Sequence, residues 1–185
     1  MEALILPGIL NSGPDHWQTH WERQHPSFVR IRHRDWVRPV CDEWVEALES
    51  TLSMSAGSDV VLVAHSLGCD LVPHWAERTG KRIKGALLVA PPDPDNPNFP
   101  ADAVGFAPLP LKQLPFPSIV VASENDPYGT LEFASRMASA WGSHFVNVGP
   151  LGHINADSGL GEWRDGLVLY RRLADWSSVP NSTPE

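Results

Sequence analysis

The sequence predicts a three-layer α/β architecture: a compact sheet of about six mainly parallel strands with helices on both faces. Three observations predict the layered α/β class. Short apolar runs recur along the chain, and each is closed by turn residues. Several of these runs are continuously apolar rather than alternating, which means burial on both faces and hence a parallel sheet. Helical patterns lie between them, and strand alternating with helix is the signature of the class.

The elements follow in order. Ala3–Leu6 is apolar and ends at Pro7-Gly8. From about Asp15 to Gln24 a helical pattern sets Trp17 and Trp21 on one face. Phe28–Trp36 alternates polar and apolar residues, as an edge strand does. Cys41–Leu52 places Trp44, Val45, Leu48 and Leu52 at helical spacing. Asp59–Ala64 reads as a buried strand ending at His65-Ser66, and a helix follows toward Arg78, with Pro73 inside it as a mild conflict. Gly85–Ala90 ends at Pro91-Pro92, and Ser118–Ser123 ends at Glu124-Asn125-Asp126-Pro127. Thr130–Trp141 is helical, His144–Val148 is a weaker strand ending at Gly149-Pro150, and a last helix spans roughly Glu162–Trp176. Ser177–Glu185 reads as a frayed polar tail, leaving residues 1–176 as a single domain.

One segment breaks this rhythm. Pro91–Pro117 holds nine of the 18 prolines and little periodicity. It follows a strand at the carboxyl end of the sheet, where ligands bind in open α/β folds, and reads as a rigidified loop or minimal cap. Phe99, Phe106 and Phe116 within it are candidate apolar walls for an acyl group, packing against the sheet being the other reading.

Composition removes several classes of function. The 185 residues suit one domain, and the formal net charge of -8 opposes a nucleic-acid backbone or an anionic membrane as partner. Arg23, Arg30, Arg32, Arg34 and Arg38 cluster, but a solvated strand face accounts for them. Cys41 and Cys69 make neither a disulfide framework nor a four-ligand zinc site. His16 and His20 form an i, i+4 pair near His25, with no clear third metal ligand. The first apolar run is too short for a signal peptide or a spanning helix, so a cytoplasmic protein without cofactor or metal is the expectation.

The strongest chemical signal is Ala64-His65-Ser66-Leu67-Gly68, set between a buried strand and a helix. A tight strand-to-helix turn there exposes the serine, and small residues two before and two after it let the backbones approach. A serine hydroxyl needs a base. His153 stands in a loop after the last strand, and Asp126 follows an earlier strand end. The chain order Ser66, Asp126, His153 is the one expected for a nucleophile, its acid and its base on this kind of sheet. Asp93 also follows a strand end and is the rival acid. His65, turned away by the sharp bend, is expected to pack or to support the site, and Cys69 to be a buried small apolar residue. Backbone N–H groups for an oxyanion are expected from Leu67 and from the loop Pro7–Gly13, with Ile9 favoured by position and Leu10 or Asn11 as alternatives.

The segments Pro7-Gly8, Asn11-Ser12-Gly13-Pro14-Asp15-His16-Trp17, His65–Gly68, Ser123–Pro127 and Gly152-His153-Ile154-Asn155 together resemble the small serine hydrolases related to retinoblastoma-binding protein 9 and to bacterial YdeN-like proteins. The resemblance runs from about Ala3 to Trp176. It implies a compact α/β hydrolase and carries the triad onto Ser66, Asp126 and His153. The mammalian relative is named for binding a pocket protein through L-x-C-x-E, and Leu67-Gly68-Cys69-Asp70-Leu71 lacks the glutamate, so that partner is not supported and the protein partner is left open. The expected activity is hydrolysis of a small carboxylic ester, or an amide or thioester, through an acyl-enzyme. The alternative is a non-catalytic interaction module on a hydrolase scaffold. A nucleotide-binding domain is disfavoured because Pro7-Gly8-Ile9-Leu10 lacks G-x-G-x-x-G.

Overall fold

The computed structural model describes residues 2–54 and 59–176. Six strands form one sheet, all neighbours parallel: β1 (Ala3–Leu6), β2 (Phe28–Arg30), β3 (Val61–His65), β4 (Gly85–Val89), β5 (Ser118–Ala122) and β6 (His144–Asn147), in the order β2-β1-β3-β4-β5-β6. The helices are α1 (Trp17–Gln24), α2 (Cys41–Ser53), α3 (Leu67–Arg78), α4 (Leu131–Trp141) and α5 (Arg164–Ala174). No helix among the described residues is long and apolar enough to cross a membrane.

The layers follow from the two-residue period of the strands. Leu4, Leu6, Leu62, Ala64, Leu88 and Val120 face a core shared with α2, α3 and α4. Their neighbours Ile5, Val61, Val63, Leu87, Val89 and Val121 face the opposite core, filled by Trp17 and Trp21 of α1 and by Leu169 and Leu173 of α5. Every residue of β1, β3, β4 and β5 is buried, which explains why these runs are continuously apolar.

The chain winds outward from β1 in both directions, to β2 on one side and β3 on the other. The loops leaving β1 and β3 therefore part at a topological switch point, where an open α/β sheet forms its crevice. Leu6 is paired with Ala64 and His65 with Val89, so the loops that follow these strands emerge on one rim.

Several expectations are corrected. The edge strand is only Phe28–Arg30, not Phe28–Trp36. Ile31 makes one more bond to Ile5, after which the chain leaves the sheet; His33 stacks on Trp44 at 4.0 Å, and Asp35 turns the chain by accepting from the N–H groups of Val37 and Arg38. The alternation thus reports a loop pressed onto α2. Arg30 is not on a solvated face. Its guanidinium donates to Asn11, Ser12 and Thr19, pairs with Glu22 at 2.8 Å, and is only 16% exposed. Helix α5 is shorter than Glu162–Trp176 because Trp163 takes φ 36° and caps it. Pro73 lies within α3 without ending it, its ring forgoing the one amide bond a proline cannot make. The tail Ser177–Glu185 lies outside the described residues.

The proline-rich segment 91–117 is irregular, as expected, but pinned. Val104 bridges to Val40, the His74 ring bonds the Phe106 carbonyl, and the Trp141 indole donates to the Pro110 carbonyl. Phe106 and Phe116 are buried in the α2–α3–α4 core and Phe99 packs against it, so none of the three walls the pocket described below.

Candidate active site

Ser66 occupies the one residue between β3 and α3, at φ 53° and ψ -130°. A non-glycine residue in that region is strained and survives only where its surroundings hold it. Here the Ser66 N–H donates to the Val89 carbonyl at 3.0 Å, and the neighbouring backbones close in. A Cβ added at Gly68 would lie 2.8 Å from the Pro7 carbonyl oxygen, so residue 68 has no room for a side chain.

His153 stands between Ser66 and Asp126. Its Nε2 lies 2.8 Å from Ser66 Oγ, and its Nδ1 lies 2.9 Å from each carboxylate oxygen of Asp126. The carboxylate is 2% exposed and the imidazole 9%. The loops that carry Asp126 and His153 are tied together. Asn125 accepts from the Gly152 N–H at 2.7 Å and from the Ser123 hydroxyl at 3.0 Å, and that hydroxyl accepts from the Leu151 N–H. The Tyr128 N–H donates to Asp126 at 2.9 Å, and its ring lies 4.4 Å from that of His153. Asp93 is elsewhere: it accepts from the Asp95 N–H and makes no bond to His153.

The first loop closes the other side. Leu10 donates its N–H to the Trp36 carbonyl and Asn11 to the Gly8 carbonyl. The Ile9 and Leu67 amides have no partner among the described residues, and both residues line the same cleft as Ser66. Of the three candidate donors in the first loop, Ile9 is therefore the one still available. The cleft holds about 420 Å³ and is lined by Ser66 together with Ile9, Leu10, Pro92, Pro100 and Tyr128. No lysine, arginine or glutamate lines it.

Burial disfavours the charged forms of His65, His16 and Cys69 beside the site. Burial holds the His65 pKa well below its usual value, with His16 and His153 adding and the bond to the His153 carbonyl opposing. His16 is lowered to about 3, first by burial and then by Arg30, His153 and His20. Burial pushes the Cys69 thiol well up, and the thiol donates to the Val89 carbonyl, so it offers no thiolate. His16 caps α1 by accepting from the Gln18 N–H, and no group of three metal-ligating side chains occurs among the described residues. Leu67 and Cys69 are fully buried, so the Leu67–Leu71 stretch is not presentable to a partner.

Sequence reasoning missed two contacts. His65 reaches the His153 carbonyl at 2.9 Å, and the Trp17 indole donates to the Ile154 carbonyl at 2.8 Å. The His16-Trp17 pair at the start of α1 was visible, but helical spacing marks only a packing face and not the direction of an N–H.

Chemically, the arrangement can pass the Ser66 proton to His153 while Asp126 holds the far ring nitrogen, and Ile9 and Leu67, whose amides have no partner among the described residues, line the same cleft.

A family model described as serine hydrolase matches residues 3–172. Among solved structures, a protein described as a YdeN-like hydrolase from Pectobacterium atrosepticum is 37% identical, over 96% of this chain and 92% of that one, with a TM-score of 0.81. The ydeN gene product of B. subtilis is 20% identical over 96% and 98% of the two chains, with a TM-score of 0.77. A thermophilic esterase from Thermogutta terrifontis is 18% identical over 92% and 88%, with a TM-score of 0.66. These last two likenesses bear on the fold alone. No curated protein matches the sequence.

Proposed function

The chain belongs to the serine hydrolase family, and from that premise we propose that it hydrolyses a small carboxylic ester through an acyl-enzyme on Ser66. The observation that carries the reading is the unbroken hydrogen-bonded line from Ser66 Oγ through His153 to Asp126.

Each group has one role. Ser66 Oγ attacks the acyl carbonyl as its proton passes to His153 Nε2. Asp126 orients the ring through Nδ1 and stabilises the imidazolium that forms. The amides of Leu67 and Ile9 donate to the oxygen that becomes negative, in a cleft where such donors need no reorganisation. Collapse of the tetrahedral intermediate expels the alcohol, which takes the proton from His153. Water then repeats the cycle on the acyl-enzyme: His153 accepts its proton, the carboxylic acid leaves, and the proton returns to Ser66. No step calls for a metal or cofactor.

The neutral cleft favours an uncharged acyl group, because a buried carboxylate without a partner is costly. The alternative of a non-catalytic scaffold is testable directly. A fluorophosphonate probe is expected to label the parent protein. Ser66→Ala is expected to lose both labelling and turnover, on the order of 10⁴-fold or more in kcat, while its circular dichroism and melting temperature stay close to the parent's. A folded Ser66→Ala protein that still labels would overturn the assignment.

A further inference from the structure

The turn that carries His153 holds a backbone shape it would not keep unaided. Gly152 sits at φ 60° and Ile154 at φ 48°. Glycine adopts that region freely, but a β-branched residue there is an outlier. Such strain persists only where the surroundings over-determine it.

Two side-chain donors from different elements do so here. His65 Nε2 lies 2.9 Å from the carbonyl oxygen of His153. The Trp17 indole N–H donates to the next carbonyl, that of Ile154, at 2.8 Å. Ile154 itself is fully buried in the same core as Trp17. Two successive carbonyls are thus held, one from the residue before the nucleophile and one from the first residue of α1.

The protonation state of His65 fits this use. A carbonyl only accepts, so Nε2 carries the hydrogen. Burial keeps the ring neutral, so it sets no positive charge beside the imidazolium that His153 forms during turnover. His16 packs edge-on against His65, with ring centroids 4.6 Å apart, and its Nδ1 accepts from the Gln18 N–H. That cap fixes the start of α1, and Trp17 with it.

We propose that His65 and Trp17 form a clamp on the His153 turn, acting as positioning residues that set the base against both Ser66 and Asp126. The proposal rests on the reading of His153 as the general base. A shift of the turn changes both of its hydrogen bonds at once, and a displacement of about 1 Å can cost roughly 10²-fold in rate.

The test uses four variants of the full chain beside the parent. Trp17→Phe keeps an aromatic ring and removes the N–H. His65→Leu removes the donor, and His65→Gln restores an N–H at similar reach. Ser66→Ala is the control for the chemistry itself. We measure kcat, KM and melting temperature on a short nitrophenyl ester, well below every melting point.

Trp17→Phe and His65→Leu are each expected to lower kcat about 10- to 100-fold with KM within about 2-fold of the parent. His65→Gln is expected to recover most of the loss. A purely structural role would lower the melting temperature and leave kcat at the parent's value, and that result overturns the clamp. So does a His65→Gln protein no better than His65→Leu, a comparison that stands even if Trp17→Phe fails to fold. If Ser66→Ala keeps the parent's rate, the serine mechanism itself has failed. If Ser66→Ala is inactive while the clamp variants turn over normally, only the clamp falls.

Discussion

A methyl group on Gly8 would meet the Cβ of Ser66 at 2.7 Å and its Oγ at 3.1 Å. The loop after β1 and the turn after β3 therefore touch through a residue that has no side chain, and Ile9, next along the loop, lines the same cleft as Ser66. Gly8→Ala would have to push one of the two loops away. We expect a fall in kcat of at least about 10-fold and a stability loss of about 1–3 kcal/mol, the range for overpacking a tight contact. Steady-state kinetics and urea unfolding check both. A fully active Gly8→Ala protein would show that the first loop does not serve the reaction.

The two rival acids are separated by one comparison. Asp126 lies 2.9 Å from His153 Nδ1 through both oxygens, whereas Asp93 only closes its own turn. In Asp126→Asn the amide NH₂ can donate to Nδ1, which moves the ring proton to Nε2 and leaves nothing to accept the Ser66 proton. A loss on the order of 10⁴-fold in kcat is expected. Asp93→Asn is expected to stay close to the parent rate. The same assays with both proteins decide the point, and the reverse ranking would move the role to Asp93.

What was legible in the sequence was whatever a local pattern encodes. Val61–His65 and Ser118–Ala122 are buried on both faces, so their composition alone betrayed the parallel sheet. Ser66 was legible because its turn needs small neighbours, and Gly68 has backbone where a side chain would go. Arg30 was misread because its partners Asn11, Ser12 and Thr19 precede it in the chain and meet it only after α1 folds back. The phenylalanines of segment 91–117 were ambiguous for a similar reason: a segment without periodicity does not say which face it turns to the core. Phe106 turned out to be wholly buried, while Pro92 and Pro100 border the cleft. The bonds from His65 and Trp17 to the His153 turn span distances that no spacing rule reaches.

Acid should unsettle this fold through its buried histidines. His33 is lowered to about 4 by burial, and neither of its ring nitrogens has a partner among the described residues. His16 at about 3 and His65, also lowered, act in the same direction. Above the usual histidine value the folded and unfolded chains are both neutral at these rings. Below it the unfolded chain binds protons that the folded one refuses, so stability falls as pH drops, by up to about 1.4 kcal/mol per pH unit for each ring. Asp70, raised by burial and then by Asp93, works the other way: its contribution weakens as pH rises. His33→Phe keeps a ring against Trp44 and removes one titration. Its stability relative to the parent is expected to improve as pH falls from 6.5 toward about 4, the window set by His33 itself. Urea unfolding at several pH values measures this. A difference that does not change with pH would mean that His33 is not a proton-refusing site.

Acyl-chain length is the last expectation. The apolar side chains lining the cleft include Ile9, Leu10, Pro92 and Pro100. Asn11, Asn98 and Asn155 also line the cleft, so a chain long enough to cross it would lay methylenes on amide groups. Those amides are already engaged, by Arg30, by the Pro127 carbonyl and by the Asp157 N–H, and would not swing aside without breaking bonds. The phenylalanines of segment 91–117 belong to the core and its backbone is held at Val104, Phe106 and Pro110, so they add no apolar wall to this cleft. Nitrophenyl esters from acetate to palmitate, with and without micelles, test this. The rate is expected to peak at short chains and to fall with a discrimination of about 1–3 kcal/mol for each methylene that no longer fits, with no increase at a micellar surface. A palmitate preference that micelles sharpen would require segment 91–117 to open, and the small-ester reading would give way to a lipase.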